Sequence, residues 1–282
     1  MLADIVDLLR CPQCSGVLTL EGGTVGCLSG HRFDMARQGQ LNLLRGPAGA
    51  NADTAAMVAD RVAFLRTGHY APIAELVATA AHGPVVVEAG AGTAYYLDAI
   101  LSRLASGTTS PVRGIATDIS VYACRRAAKL PRIGAVVADT WAGLPIRDGV
   151  ADTVLSVFAP RNFAEFARIC APDGRVLVVT PLPEHLAEVR RTHRLMTVEE
   201  GKHHRLLADA QEWFVHDGHA DLRYAIDLQP ADLRHLIGMG PNAFHTRAAG
   251  TDEPLRTTIT VRLDVFRRRH RRTMRDGTQR AV

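Results

Sequence analysis

Short apolar runs, separated by stretches of helical character, fill the chain from residue 84 onward. The first three runs end at Gly or Asp, and several are apolar at every position, as in Val85-Val86-Val87. Continuous apolar runs are typical of strands that are buried on both faces of a parallel sheet. We therefore predict an α/β domain. Its predicted strands are 84–89, 112–117, 134–138, 152–157, 175–180, 222–228 and 258–265.

The pattern differs before residue 84. A Gly- and Ala-rich stretch at 46–52 predicts a linker, and Asp53 and Thr54 are suitable caps for a helix that runs past Leu65. A second helix is predicted at 72–81. The predicted organisation is a metal-binding module (1–45), a linker with bridging helices (46–83), the α/β domain (84–266) and a basic tail (267–282).

Four potential metal ligands lie in the first module. Cys11 and Cys14 form a Cys-x2-Cys pair, and Cys27 and His31 form a Cys-x3-His pair twelve residues later. Such spacings beside turn residues are typical of tetrahedral zinc sites, and the alternative is a set of unrelated core cysteines. Four protein ligands leave no position for water, so we predict a structural zinc ion. Gly22-Gly23, between the pairs, predicts a hairpin tip.

Composition narrows the class of protein. The 282 residues are 47% hydrophobic and 22% charged, as expected for a globular chain with one large and one small domain. Only Cys124 and Cys170 lie outside the predicted zinc site, so a reducing compartment, the cytoplasm, is expected. No secretory signal opens the sequence, and no run approaches the roughly 20 apolar residues of a membrane helix.

The net charge of +4 permits a nucleic-acid partner without requiring one. Basic residues crowd into 267–275, and such dense like charge predicts a mobile tail, either a phosphate-binding arm or a solubilising end. A polar interval at 184–220 carries histidines without a metal-ligand spacing, and we predict that they are surface and loop residues. These are His185, His193, His203, His204, His216 and His219.

A glycine turn follows the first predicted strand of the α/β domain. Gly90 and Gly92 would let the backbone approach a nucleotide closely, although a Gly-x-Gly turn alone is weakly diagnostic. Glu88 precedes the turn, and Tyr95 stands where a third glycine would be. An acid there would repel a pyrophosphate but attract the sulfonium and ammonium groups of S-adenosylmethionine. The turn therefore favours this methyl donor over a dinucleotide.

Two further acids end the next two strands. Asp118 lies 26 residues beyond Gly92, a distance suited to accepting hydrogen bonds from ribose hydroxyls. Asp139 ends the third strand, where it could accept from the adenine amino group. Either one alone could be an ordinary aspartate at a strand end. Together with Glu88 they place acids after three successive strands, which supports the cofactor prediction.

Several segments together resemble one family. They are the zinc-ligand set, Phe33-Asp34-Met35-Ala36 with Gly39, Leu41-Asn42-Leu43-Leu44, and Arg61-x-x-Phe64-Leu65-x-x-Gly68-His69-Tyr70. The chain is similar to the zinc-containing 23S rRNA guanine-N1 methyltransferases, which include the tylosin- and mycinamicin-resistance enzymes of antibiotic-producing actinomycetes. The resemblance covers about residues 8–186 and is weaker beyond.

The resemblance implies a class I methyltransferase domain, Rossmann-like and seven-stranded, behind an N-terminal zinc ribbon. It implies methyl transfer from S-adenosylmethionine to N1 of a guanine in a domain II hairpin loop of 23S rRNA, near the peptide exit tunnel. It also implies that the zinc module helps to hold the RNA and that two subunits form a homodimer around a basic cleft. Motifs shared by both types of the family leave open which of two neighbouring guanines is modified. The Arg- and Ala-rich composition favours the Gram-positive type, which adds to macrolide resistance.

The segment Val157-Phe158-Ala159-Pro160-Arg161-Asn162, after the fourth strand, resembles the family's acceptor phrase. Phe158 would stack on the guanine and Pro160 would shape the pocket wall, whereas the alternative for Phe158 is a place in the core. N1 of guanine carries a proton at neutral pH, and no carboxylate in this phrase is an evident base. We therefore assign no catalytic base, and alignment of the reactants is expected to supply about 7–11 kcal/mol.

Arg61, Arg66 and Arg161 are candidate contacts to the RNA backbone, and each could equally be a solvated surface charge. Tyr70, in the family phrase, would either border the methyl-donor pocket or pack the bridging helix. Two other functions stay open from the sequence. One is a methyltransferase of a small biosynthetic molecule with zinc as a folding element, and the other is a non-catalytic RNA-binding protein that has kept the fold.

Overall fold

The computed structural model describes residues 2–47, 49, 52–193, 201–240 and 253–269. The strands are β1 (Leu18–Glu21), β2 (Thr24–Cys27), β3 (Arg32–Asp34), β4 (Leu41–Asn42), β5 (Val85–Ala89), β6 (Arg113–Asp118), β7 (Ile133–Val137), β8 (Ala151–Val157), β9 (Cys170–Pro181), β10 (Phe214–Leu228) and β11 (Leu255–Arg268). The helices are α1 (Ala55–Arg66), α2 (Ala71–Ala80), α3 (Tyr95–Ser106), α4 (Val121–Ala127), α5 (Phe163–Ile169), α6 (Ala187–His193), α7 (Lys202–Ala210) and α8 (Pro230–Gly238), and a 3₁₀ turn covers Val6–Leu8.

The larger sheet contains all seven strands predicted from the sequence. Within the described residues its order is β10-β11-β9-β8-β5-β6-β7-β4. The pairs β5·β6, β6·β7, β5·β8 and β8·β9 are parallel, and β11 lies antiparallel between β9 and β10. This topology confirms the predicted class I methyltransferase fold. The last two strands are longer than predicted: β10 begins at Phe214, and it pairs with β11 as far as Arg268.

An eighth strand was not predicted. Leu41 and Asn42 form β4, which pairs in parallel with β7 at the edge of the sheet. Two residues are too few to produce a recognisable period. The side chain of Leu41 is nevertheless fully buried, so the N-terminal module continues directly into the large sheet.

The N-terminal module is a small antiparallel sheet of β1, β2 and β3. Gly22 and Gly23 have φ of +55° and +88° and connect β1 to β2, which confirms the predicted hairpin tip. The module also packs on the α/β domain through its first residues. Ile5 is fully buried against β7, where a side chain in place of Gly134 would meet it at 2.2 Å.

Two layers of apolar side chains cover the faces of the large sheet. Helices α1, α2, α3, α4, α6 and α8 pack on one face, and α5, α7 and the N-terminal module pack on the other. On the second face, Phe163 contacts Phe214 and Phe266 edge-to-face, with ring centroids 6.0 and 5.7 Å apart. The sheet edge where β5, β6, β7 and β8 end remains between these layers, and it carries the site.

The start of the predicted basic tail is ordered. Arg267 lies in β11 and pairs with Asp217 at 2.7 Å, and Arg268 donates to the carbonyl of Cys170 at 2.8 Å. Arg269 donates to the carbonyl of Gln211 at 2.8 Å. The prediction of a mobile tail is therefore wrong for these three residues, because carbonyl and carboxylate acceptors bind their guanidinium groups. Residues 270–282 lie outside the described residues.

Candidate metal centre and active site

The four predicted zinc ligands converge at one point. The ligand atoms of Cys11, Cys14, Cys27 and His31 all lie within 4.8 Å of one another. Nδ1 of His31 is 3.5 Å from Sγ of Cys11 and 3.4 Å from Sγ of Cys27, and the sulfurs of Cys14 and Cys27 are 3.6 Å apart. Zinc–sulfur bonds of about 2.3 Å in a tetrahedron separate sulfurs by about 3.8 Å, so the geometry fits zinc.

Tight turns place the two ligand pairs. The N–H of Ser15 donates to the carbonyl of Cys11 at 2.8 Å, and the N–H of Gly30 donates to the carbonyl of Cys27 at 3.0 Å. A hydrogen bond from Ser29 lowers the pKa of Cys14 to about 6, which favours the thiolate that binds metal. With four protein ligands, this centre is a structural zinc site of a zinc ribbon.

The glycine turn after β5 has the conformation that its residues predict. Gly90 and Gly92 have φ of +68° and +53°, which side chains rarely adopt. A Cβ at position 90 would lie 2.5 Å from Cβ of Ala159, in the phrase predicted to present the acceptor. The glycine turn and the acceptor phrase therefore touch, and this contact could not be seen in the sequence.

Glu88 is buried at the end of β5. Its exposed fraction is 1%, and Oε2 accepts a hydrogen bond of 3.2 Å from the N–H of Leu97 in the first turn of α3. Burial raises the pKa of Glu88 well above its ordinary value. A cation bound beside this carboxyl group would favour its ionised form, so a cationic ligand would compensate for the burial of its charge.

Asp118 and Asp139 follow the neighbouring strands β6 and β7. Oδ2 of Asp118 accepts from the N–H of Gly92, and Oδ1 accepts from the N–H of Ser120, both at 2.8 Å. Oδ1 of Asp139 accepts from the N–H of Trp141 at 2.8 Å. Because β5, β6 and β7 are parallel neighbours, all three predicted acids lie at one edge of the sheet.

A cavity of about 380 Å³ opens at this edge. Its lining includes Glu88 and Gly90 of the glycine turn, together with Tyr70, Phe158 and His185. Apolar residues of α6 and α8 complete the lining; they are Val189, Leu236 and Ile237. Asp118 and Asp139 lie outside this cavity, toward the neighbouring strands.

Phe158 is a wall residue and not a core residue. Its side chain is 40% exposed, and its φ is +53°, although its N–H donates to the carbonyl of Val179 at 3.1 Å. A strained backbone that exposes an aromatic ring is typical of a functional position. Pro160 is exposed, and its Cδ would lie 3.8 Å from a Cβ at Gly90.

Tyr70 is 3% exposed and its ring packs edge-to-face on Phe64, with centroids 5.0 Å apart. It also lines the cavity, 6.1 Å from the Phe158 ring. The two sequence interpretations of Tyr70 are therefore compatible, because it packs the bridging helices and borders the pocket.

The three candidate arginines lie in different environments. Arg61 is partly buried: it pairs with Asp53 at 2.6 Å, donates to the carbonyl of Met239 at 3.0 Å and lines the cavity. Arg66 is exposed. Arg161 is partly buried and donates to the carbonyl of Ala159 at 3.2 Å. The structure thus favours a pocket role for Arg61.

Comparison with known proteins agrees with this geometry. The family model described as "RlmA, N-terminal", a zinc ribbon, matches residues 9–48. The 23S rRNA (guanine(748)-N1)-methyltransferase of Streptomyces fradiae is 41% identical over 87% of this chain and 89% of its own length. This chain belongs to the 23S rRNA (guanine-N1)-methyltransferase family. A Micromonospora griseorubida protein assigned to the same activity is 38% identical over 95% of this chain and 99% of its own length.

Solved structures are more distant. The YcgJ protein from Bacillus subtilis is 15% identical, with a TM-score of 0.47 over 70% of this chain and 98% of that one. The assignment to the guanine-N1 methyltransferase family therefore depends on the sequence relatives.

The site of this family member contains a histidine that sequence reasoning misplaced. His185 was predicted to lie on the surface, but it is 8% exposed and lines the cavity. His203 and His216 keep side chains that are about a third exposed, as predicted for surface residues, and both donate to the fully buried carboxylate of Asp264, at 3.1 and 2.9 Å. These partners lie far apart in sequence, so only the fold brings them together.

A search of the described residues finds no helix that is both long and apolar enough to cross a membrane.

Proposed function

We propose that the protein transfers the methyl group of S-adenosylmethionine to N1 of a guanine in a domain II hairpin loop of 23S rRNA, near the peptide exit tunnel. The similarity to the Streptomyces fradiae enzyme, which extends through both the zinc ribbon and the methyltransferase domain, carries this proposal. The proposed target is the guanine in that enzyme's name, guanine 748. Methylation there would contribute to macrolide resistance of the tylosin and mycinamicin type.

The charged residues of the cavity support a specific orientation of the methyl donor. Arg61 would bind its carboxylate and Glu88 its ammonium group, since these side chains carry the opposite charges and line one cavity. The backbone of Gly90 and Gly92 would approach the donor closely. Asp118 would accept from the ribose and Asp139 from adenine, each through lone pairs that the backbone N–H groups leave free.

The acceptor guanine would enter beside Phe158. An exposed aromatic ring tolerates any unpaired base, and a loop guanine is exposed without the opening of a long duplex. Pro160 would shape the wall of this entrance. The contact between the Gly90 turn and Ala159 would hold the donor and acceptor loops in a fixed relation, which is how alignment contributes to the rate.

The remaining parts of the proposal concern the RNA and the assembly. The zinc ribbon would help to hold the hairpin, with Arg66 and Arg161 as contacts to the phosphate backbone. A homodimer is proposed from the family resemblance, and the rRNA substrate implies the cytoplasm. Light scattering of the purified protein tests the dimer, since it would give twice the mass of one chain.

Replacement of Glu88 by glutamine should have opposite effects on the stability of the protein and on its affinity for the methyl donor. Burial raises the pKa of Glu88 in the folded protein, so the folded state favours the neutral carboxyl group. In the unfolded chain the pKa is about 4.3. Wild type therefore loses stability as the pH rises from about 4.3 through the raised pKa of the folded state. Glutamine stays neutral and can still accept from Leu97. We expect Glu88→Gln to melt at a higher temperature than wild type at pH 7 and at the same temperature at pH 4.

The same variant should bind S-adenosylmethionine about 10- to 100-fold more weakly, because the bound ammonium group favours the ionised form of Glu88 and glutamine cannot supply that negative charge. Calorimetry at pH 7 measures this change, and Asp98→Asn, a partly buried acid of α3 that does not line the cavity, is the control with the same chemistry. Unchanged affinity in Glu88→Gln would contradict the proposed orientation of the donor.

The reaction itself is tested with purified protein, labelled methyl donor and a domain II hairpin. We expect label in the hairpin and none in a matched hairpin synthesised with N1-methylguanine at the target. Label in a metabolite extract but not in the RNA would overturn the proposal in favour of a small-molecule methyltransferase. Binding of donor and RNA without transfer to either would indicate a non-catalytic protein.

A further inference from the structure

Tyr70, His185 and Phe158 surround one end of the cavity. The ring centroids of Phe158 and His185 are 5.7 Å apart, and that of Tyr70 lies 6.1 Å from Phe158 and 6.3 Å from His185. All three side chains line the same cavity, so a base that stacked on the exposed Phe158 ring from within it would lie beside the polar groups of the other two.

The hydrogen bonds of His185 determine which ring nitrogen carries its proton. Nδ1 faces the backbone N–H of Thr260 at 3.3 Å, and an amide N–H can only donate. The neutral ring must then carry its proton on Nε2, which lies 3.4 Å from the hydroxyl oxygen of Tyr70. Burial, and then the charge of Arg190, lowers the pKa of His185 to about 4, so the ring is neutral at pH 7.

Tyr70 consequently has a proton to donate. Its oxygen accepts from Nε2 of His185, and among the described residues the Tyr70 hydroxyl has no other hydrogen-bond partner. Burial raises the pKa of Tyr70, so the hydroxyl keeps its proton. Since Tyr70 lines the cavity, this proton is available to an acceptor atom of a ligand bound there.

We propose that the Tyr70 hydroxyl donates a hydrogen bond to O6 of the target guanine, and that His185 is a positioning residue that directs this hydroxyl. The inference rests on the proposed function. It also excludes His185 as the proton acceptor, because the lone pair of Nδ1 is engaged by Thr260 and Nε2 carries a proton.

The chemistry of guanine explains why a donor at O6 would accelerate the reaction. Transfer forms the bond between the methyl carbon and N1 and breaks the carbon–sulfur bond, whose electron pair stays on sulfur as the sulfonium becomes a neutral thioether. The N1 proton passes to water. While it leaves, negative charge spreads from N1 to O6, and a fixed donor at O6 stabilises that charge in the transition state.

The test compares Tyr70→Phe with wild type in single-turnover methylation of the hairpin over a range of pH. Loss of one such donor should lower the rate at pH 7 by about 100-fold. The rise of rate with pH should shift to higher pH in the variant, because N1 becomes harder to deprotonate. Affinity for S-adenosylmethionine should stay that of wild type.

Tyr224→Phe is the matched control. The Tyr224 hydroxyl donates to the carbonyl of His69 at 2.8 Å, and Tyr224 does not line the cavity. The same chemical change there should leave the pH dependence of the methylation rate unchanged. His185→Leu should lower the rate by about tenfold through loss of positioning, and His185→Gln, which keeps an N–H donor, should recover most of it.

Three results would overturn the inference: an unchanged rate in Tyr70→Phe, a reduced rate with an unshifted pH profile, or a loss of donor affinity that accounts for the whole effect. A wild-type protein that does not methylate the hairpin would instead contradict the proposed function and this inference with it.

Discussion

Gly90→Val should abolish binding of S-adenosylmethionine. A Cβ at this position would lie 2.5 Å from Cβ of Ala159, and the φ of +68° is a conformation that a β-branched residue avoids. The turn must therefore move, and it would leave the position from which its backbone contacts the donor. We expect affinity to fall by about 100-fold or more, which corresponds to roughly 2.8 kcal/mol.

Gly149→Val is the appropriate control for this experiment. Gly149 also has a positive φ, +67°, but a Cβ there would meet nothing within 4 Å. It shares the backbone strain without the clash and lies away from the cavity. Calorimetry should find wild-type affinity in Gly149→Val, and equal affinity in both variants would contradict the proposed donor site.

Cys14→Ser should remove the zinc ion and unfold the N-terminal module. Structural zinc contributes about 10–16 kcal/mol of binding free energy in small zinc-folded peptides, and a module of this size cannot compensate with its core. Its few fully buried side chains, such as Leu18 and Val25, would be exposed. In metal analysis, the zinc content should fall from one ion per chain to much less. The rate of hairpin methylation should fall by about 100-fold or more if the ribbon holds the RNA.

Cys124→Ser controls for the chemical change. Cys124 is buried, and its Sγ lies 3.5 Å from the carbonyls of Asp118 and Val136, so a serine hydroxyl there has acceptors. This variant should keep one zinc per chain. Full activity in zinc-free Cys14→Ser would show that the ribbon is dispensable for RNA recognition, whereas retained zinc would show that Cys14 is not a ligand.

The parts of the structure that sequence predicted are those encoded locally. Continuous apolar runs located the seven strands, and ligand spacing located the zinc centre, because each signal lies within a few residues. The glycine turn belongs to the same group. Its neighbours Glu88 and Asp118 were also located correctly at strand ends, since parallel strands bring their carboxyl ends to one edge.

The parts that sequence could not predict depend on contacts between distant residues. Arg61 lies in the pocket because Asp53 and the carbonyl of Met239 hold it there, and the second of these is 178 residues away. His185 is buried because β11 provides the N–H of Thr260. Neither side chain has a local pattern that distinguishes it from a surface residue.

Primer extension across domain II of 23S rRNA tests the central claim most directly. The rRNA would come from a host that lacks the modification, with and without the gene. Because N1-methylguanine blocks the pairing edge, reverse transcriptase should halt one nucleotide before guanine 748 only when the gene is present, and not with the Gly90→Val variant. Absence of any new stop in domain II would contradict the account.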